Sequence, residues 1–206
     1  GKQIDFSKAP SNNLVFLVDV SGSMSEELPL VVQSLKKLTA QMRPEDKIAI
    51  VVYAGAAGEV LPATSGNDKA SILAALDRLQ AGGSTAGGQG INLAYQIAQQ
   101  NFLPNGNNRI ILVTDGDFNV GVSSTKELQT LVEEKRKGSV FLSCIGIGGN
   151  NYRDNMLETL ADKGNGNYSY IDTPQEADKI FVHQLTGTLY VIAKDVKLQL
   201  EFNPEH

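Results

Sequence analysis

The chain has 206 residues, 41% of them apolar and 20% charged, the composition of an ordinary globular protein of about one domain. Lys and Arg total 18 against 23 Asp and Glu, a net charge of −5, which argues against nucleic acid as a partner and against docking on an anionic membrane surface. A single cysteine, Cys144, excludes an internal disulfide framework and a thiolate cluster, and two histidines, His183 and His206, leave little for His-based metal or acid–base chemistry.

Leu14 to Val18 is a short, continuous apolar run, as expected of a strand buried on both faces. Ser25, Glu26 and Glu27 mark a helix start, with acids near its positive end. Pro29 falls in the first turn, where it is tolerated. Leu28, Val31, Val32, Leu35, Leu38 and Met42 form one apolar helical face, and Pro44 ends it. Lys47 to Tyr53 is a β-branched second strand. Glu59 to Leu61 is expected as a short antiparallel edge strand after a turn at Gly55–Gly58. Asp68 caps a helix with Ile72, Leu73, Leu76 and Leu79 on one side.

The loop AGGSTAGGQG, residues 81–90, precedes a helix carrying Ile91, Leu93, Ala94, Ile97 and Ala98. Arg109 to Thr114 is another buried strand. Ser124 to Lys137 is a helix, Ser139 to Ile145 a strand, and Met156, Leu157 and Leu160 mark a short helix. Tyr168 to Ile171 is the last strand of this series. Pro174 opens a final helix with Ala177, Ile180, Phe181 and Leu185 on one face. Apolar strands alternating with amphipathic helices predict an α/β fold. It is a doubly wound, mostly parallel sheet of about six strands with helices on both faces, Rossmann-like in layout. Sites in such sheets form at the carboxyl ends of the strands, near the switch in strand order.

Three loops place oxygen ligands at that edge. The first strand runs into Asp19-Val20-Ser21-Gly22-Ser23, the Gly-rich loop holds Thr85, and a later strand ends in Thr114-Asp115-Gly116-Asp117. Hydroxyls and carboxylates without Cys or His select Mg²⁺, with Mn²⁺ or Ca²⁺ as alternatives. Three hydroxyls and two carboxylates leave room for one incoming ligand on a cation that accepts about six oxygens.

DVSGSM at 19–24, Thr85 in GGSTAGG and the strand ending in Thr114-Asp115-Gly116 resemble the metal-ion-dependent adhesion site of von Willebrand factor type A domains, in the same order. The resemblance implies that Ser21, Ser23 and Thr85 bind the metal directly, and that Asp19 and Asp115 bind it directly or through water. It also implies a protein ligand presenting an Asp or Glu carboxylate, and a last helix, Pro174 to Leu185, able to move. TDGDFNVG at 114–121, GNGNYSYIDT at 164–173 and AKDVKLQLEFNP at 193–204 resemble a bacterial, envelope-associated and often lipid-anchored subgroup with a further C-terminal domain. We therefore expect an N-terminal arm at 1–13, the type A domain at 14–186, and the start of a following domain at 187–206. Val196, Leu198, Leu200 and Phe202 give that last segment the alternation of a half-buried strand. The chain opens on Gly1, so a targeting segment is expected upstream, in a protein of the periplasm or cell surface. No apolar run reaches the ~18–20 residues of a membrane-spanning helix.

Simpler roles suit the remaining residues. Asp117 suits a turn or cap, and Glu26 and Glu27 suit helix-dipole partners. The glycines at 82–90 lack the Lys of a phosphate-binding P-loop. Gly146, Gly148 and Gly149 lack a third glycine at dinucleotide spacing and suit tight turns. Cys144 suits a buried, inert thiol, His183 a surface or packing position, and Tyr152, Tyr168 and Tyr170 core packing. The functional expectation is a cation-dependent binding module rather than an enzyme. The alternatives are a scaffold docking its own C-terminal domain and a Mg²⁺-dependent phosphoryl-transfer enzyme.

Overall fold

A computed structural model describes residues 9–54, 56–82, 87–116, 125–148 and 154–184. Among the sequence expectations, Thr85, Asp117, Gly149, Tyr152, Leu185 and the segment 187–206 lie outside these residues, as does His206. The described chain forms β1 (Asn12–Asp19), α1 (Leu28–Gln41), β2 (Lys47–Ala54), β3 (Ala56–Ser65), α2 (Lys69–Leu76), α3 (Gly87–Gln100) and β4 (Asn107–Thr114). It continues through α4 (Thr125–Lys137), β5 (Val140–Ile147), α5 (Asp154–Lys163), β6 (Tyr168–Ile171) and α6 (Pro174–Asp178), which runs on into a wider π-type turn at Lys179–Gln184.

The six described strands form one sheet in the order β3-β2-β1-β4-β5-β6. The β2–β3 pair is antiparallel and the other four pairs are parallel. Every residue of β1 and of β4 is buried, as their apolar centres, Leu14–Val18 and Ile110–Val113, require of strands covered on both faces. Alternate residues feed two cores. Leu14, Phe16 and Val18 face α1, α2 and the final turn with Phe181. Val15 and Leu17 face α3, α4 and α5. Cys144 is buried and unbonded, and burial pushes its thiol well above the usual range, which keeps it protonated and inert.

Three expectations change. The edge strand β3 spans ten residues, Ala56–Ser65, rather than Glu59–Leu61. Ala57 and Gly58, read as part of a turn, pair with Tyr53 and Val52, because the backbone ladder needs no side chain to continue. Glycines 87, 88 and 90, read as loop, lie inside α3. At Gly90 a Cβ would come within 3.0 Å of Leu17 Cδ1 and 3.1 Å of Tyr53 Cβ. Glycine there lets α3 settle onto β1 and β2, and that packing offsets its weak helix propensity of about 1 kcal/mol. Finally, α1 has no acid in its first turn. It starts at Leu28, with Glu27 as an N-cap residue whose side chain makes no cap hydrogen bond.

The amino ends of β1 and β2 are held by Asp46. Its Oδ1 accepts from the Asn12 N–H at 2.9 Å and Asn12 Nδ2 at 2.8 Å, and Arg43 Nε and Nη2 reach the two oxygens at 3.1 and 2.9 Å. Burial alone would raise the Asp46 carboxyl, but the Arg43 and Asn12 donors pull it below the ordinary 3.8. The unfolded chain therefore takes up the Asp46 proton first as pH falls, so its stabilisation is complete above about pH 4 and is lost progressively below that. Asp46→Ala is expected to cost about 3 kcal/mol at pH 7 and to flatten the loss of stability below pH 4, both measured by urea unfolding across pH.

Candidate metal centre

The strand order reverses direction between β1 and β4, and the ends of these two strands meet the motif residues. β1 ends at Asp19 and β4 at Thr114, with Val18 opposite Val113 and Asp19 opposite Tyr53 in register. Asp19, Tyr53 and Thr114 share the α3 side of the sheet by alternation with Leu17, Val51 and Leu112. The Asp19 carboxylate is fully buried and held from three directions. The Ser21 N–H donates to Oδ1 at 2.8 Å. The Thr114 hydroxyl at 3.0 Å and the Tyr53 hydroxyl at 3.1 Å donate to Oδ2.

Ser21 is buried and Ser23, on the short 3-10 turn Gly22–Ser25, is exposed. Their hydroxyl oxygens lie 3.0 Å apart. Asp115 is half-buried just beyond β4, where Gly116, at φ 95°, turns the chain and donates its N–H to the Thr114 hydroxyl at 3.3 Å. The third loop enters here too. The Gly82 N–H donates to the Val20 carbonyl at 2.7 Å, three residues before Thr85. The structure thus brings together Asp19, Ser21, Ser23 and Asp115, and ties the start of the Thr85 loop to the same turn.

Burial pushes the Asp19 carboxyl above its ordinary 3.8, against the Ser21 and Thr114 hydrogen bonds that favour the charged form, and neighbouring Asp115 adds to the rise. Burial and the Asp19 charge also hold the Tyr53 phenol well above its usual value, so it stays a donor. A buried carboxylate whose charged neighbour is a second carboxylate is relieved either by a proton or by a cation. Hydroxyls and carboxylates alone fit a hard divalent ion. Among the described residues no three His, Cys, Asp or Glu side chains cluster as a metal site. A cation held here would therefore depend on hydroxyl donors.

Two contributors were not among the sequence candidates. Tyr53 and Thr114 steady Asp19 from neighbouring strands; their shared register with Asp19 becomes visible only once the pairing is known. Glu27 is the other departure. Its carboxylate lies against Gly148, at φ 104°, where a Cβ would sit 3.1 Å from Oε1, and its Oε2 is buried without a hydrogen-bond partner among the described residues.

A family model for the von Willebrand factor type A domain matches residues 13–183. The chain belongs to this family. Over 197 residues, 95% of this chain, the type A sequence is 52% identical to the Escherichia coli (strain K12) protein YfbK, of which the match covers 34%. It is 33% identical to human inter-alpha-trypsin inhibitor heavy chain H4 over 66% of this chain and 16% of that protein. The chain thus spans about a third or less of these relatives. Among solved structures, BatB from Bacteroides thetaiotaomicron shares the fold with a TM-score of 0.69 at 21% identity, over 87% of this chain and 98% of that one.

The buried Asp19 charge in this type A domain should be a cost to the metal-free fold. In EDTA at pH 7, Asp19→Asn is expected to raise the thermal midpoint by a few degrees. Scanning calorimetry checks this, and an unchanged or lower midpoint would contradict it.

Proposed function

We propose that this type A domain is a divalent-cation-dependent protein-binding module. Asp19, Ser21, Ser23, Thr85 and Asp115 would hold Mg²⁺, with Mn²⁺ or Ca²⁺ as substitutes, and an Asp or Glu carboxylate of a partner protein would complete the set. The observation that carries this reading is the buried Asp19 carboxylate beside two hydroxyls 3.0 Å apart. The bound cation would supply positive charge where two carboxylates alone would repel an acidic ligand. The chain's own residues set the conditions for that contact. Tyr53 and Thr114 orient Asp19, the buried floor limits water, and the exposed Ser23 marks the side from which a partner approaches. In such a setting a carboxylate contact is stronger than an open surface ion pair, worth ~0–1 kcal/mol.

Binding fits the site better than turnover. Phosphoryl transfer needs cationic groups for the phosphate, and no Lys or Arg falls in the runs 19–24, 81–90 or 114–117. Members of the family commonly mediate protein interactions. For the whole protein we propose a place in a bacterial cell envelope, with a lipid anchor and a further domain after residue 186. This rests on the resemblance of 114–121, 164–173 and 193–204 to envelope-associated type A proteins. The following domain is the alternative occupant of the site.

Titration calorimetry tests the metal reading. The wild type is expected to bind Mg²⁺ and Mn²⁺, Ser21→Ala to bind at least ~10-fold more weakly, and Tyr53→Phe ~10-fold more weakly through loss of a donor behind Asp19. Absence of binding by the wild type would sink the proposal.

A further inference from the structure

A groove of about 420 Å³, lined by apolar side chains together with Ser25, Asp77 and Gln80, lies between the start of α1 and the end of α2. Leu28 and Val32 form one wall, and Leu76 and Leu79 the other. Leu28 and Leu76 belong to the buried core, whereas Val32 and Leu79 are only partly covered, so the groove floor is core and its lip is solvent-facing. Its volume falls within the range of built ligand sites, roughly 300–1,000 Å³. Asp77 also lines it, but Lys36 pairs with that carboxylate, so the rim presents a neutralised pair.

Two covalent connections tie the groove to the candidate metal centre. Ser25, in its lining, closes the 3-10 turn that carries Ser23 and donates its hydroxyl to the Gly22 carbonyl. Ala81, also in the lining, precedes Gly82, which is bonded to the Val20 carbonyl inside the motif. Two residues of chain span at most about 7 Å, so the Ser25 edge of the groove lies within two or three residues' reach of Ser23 for an extended partner strand.

We propose that the groove is the second half of the interaction surface. The partner is a protein segment that carries a bulky apolar side chain two or three residues from the carboxylate. The proposal rests on the metal-dependent reading above and adds the identity of the neighbouring side chain. The division of labour is physical. A carboxylate contact is common to any acidic ligand and gives little discrimination, whereas an apolar anchor seated in a pocket distinguishes one acidic segment from another. The paired Lys36 and Asp77 favour an uncharged occupant, because an extra charge there would compete with an existing ion pair.

A phage-displayed library of random 12-residue peptides, selected on the whole chain in Mn²⁺ and again in EDTA, provides the test. The expected Mn²⁺-dependent pool is enriched in Asp or Glu with Leu, Ile, Met or Phe two or three positions away. Val32→Gln and Leu79→Gln, two partly exposed positions checked for folding by unchanged Mn²⁺ affinity, should retain the acidic enrichment and lose the apolar one. A selected peptide should bind each about tenfold more weakly. Acidic enrichment without an apolar neighbour, or the same apolar enrichment on both variants, would overturn this inference and leave the metal reading standing. Loss of all Mn²⁺-dependent acidic enrichment, including on the wild type, would remove the metal reading and this inference with it. Self-association abolished by Val32→Gln, with no apolar enrichment, would assign the groove to a second copy and overturn the peptide partner.

Discussion

The structure turns on one carboxylate. Asp19 ends a strand with no exposed residue, at the point where the sheet's order reverses. A charge placed there loses most of its hydration and must be compensated by hydrogen bonds or an opposite charge. Three donors, from the turn after β1 and from β2 and β4, converge on it. They hold its orientation, but they do not cancel its charge, and the carboxyl remains shifted toward its neutral form. A cation would relieve that tension, and the fold presents hydroxyl oxygens beside the carboxylate.

Much of the surrounding architecture serves to keep that carboxylate in place. The parallel pairing of β1 with β2 sets Tyr53 opposite Asp19, and the pairing with β4 brings Thr114 alongside. Gly90 allows α3 to lie close to both Leu17 and Tyr53, which fixes the ring whose hydroxyl reaches Asp19. At the opposite end of the same strands, Asp46 ties Asn12 to Arg43. A slip of β1 by one residue would turn Asp19 to the other face. The polar cluster at the amino ends and the packing along the strand both oppose such a slip. The groove beside α1 follows from the same layout, because the chain returns to the motif through Ala81 and Gly82 immediately after α2.

The layered α/β fold was legible because its strongest signals are local. LVFLV at 14–18 and IILV at 110–113 are continuous apolar runs, as expected of strands covered on both faces. The placement of Asp19, Ser21, Ser23 and Asp115 at the carboxyl edge was legible because sites in doubly wound sheets form there, whereas their assignment as metal ligands rests on the resemblance to type A domains. The parts that could not be read depend on pairing and packing. The length of β3 is set by its ladder with β2, not by its own side chains, and its Ala-Gly start resembles a turn. The helical glycines 87, 88 and 90 look like loop until the close approach of α3 to β1 is known. Tyr53 reads as an ordinary strand residue until its register places it behind Asp19. Glu27 reads as a helix-dipole partner, yet its side chain lies against Gly148.

The central claim is that the Asp19 cluster is a cation site, and it can be seen directly. A crystal structure grown with Mn²⁺ and recorded near the manganese absorption edge should show an anomalous peak bonded to the Ser21 and Ser23 hydroxyls. Asp19 and Asp115 should lie in contact with it, directly or through one water. Absence of a peak there, or manganese bound only elsewhere on the chain, would contradict the account.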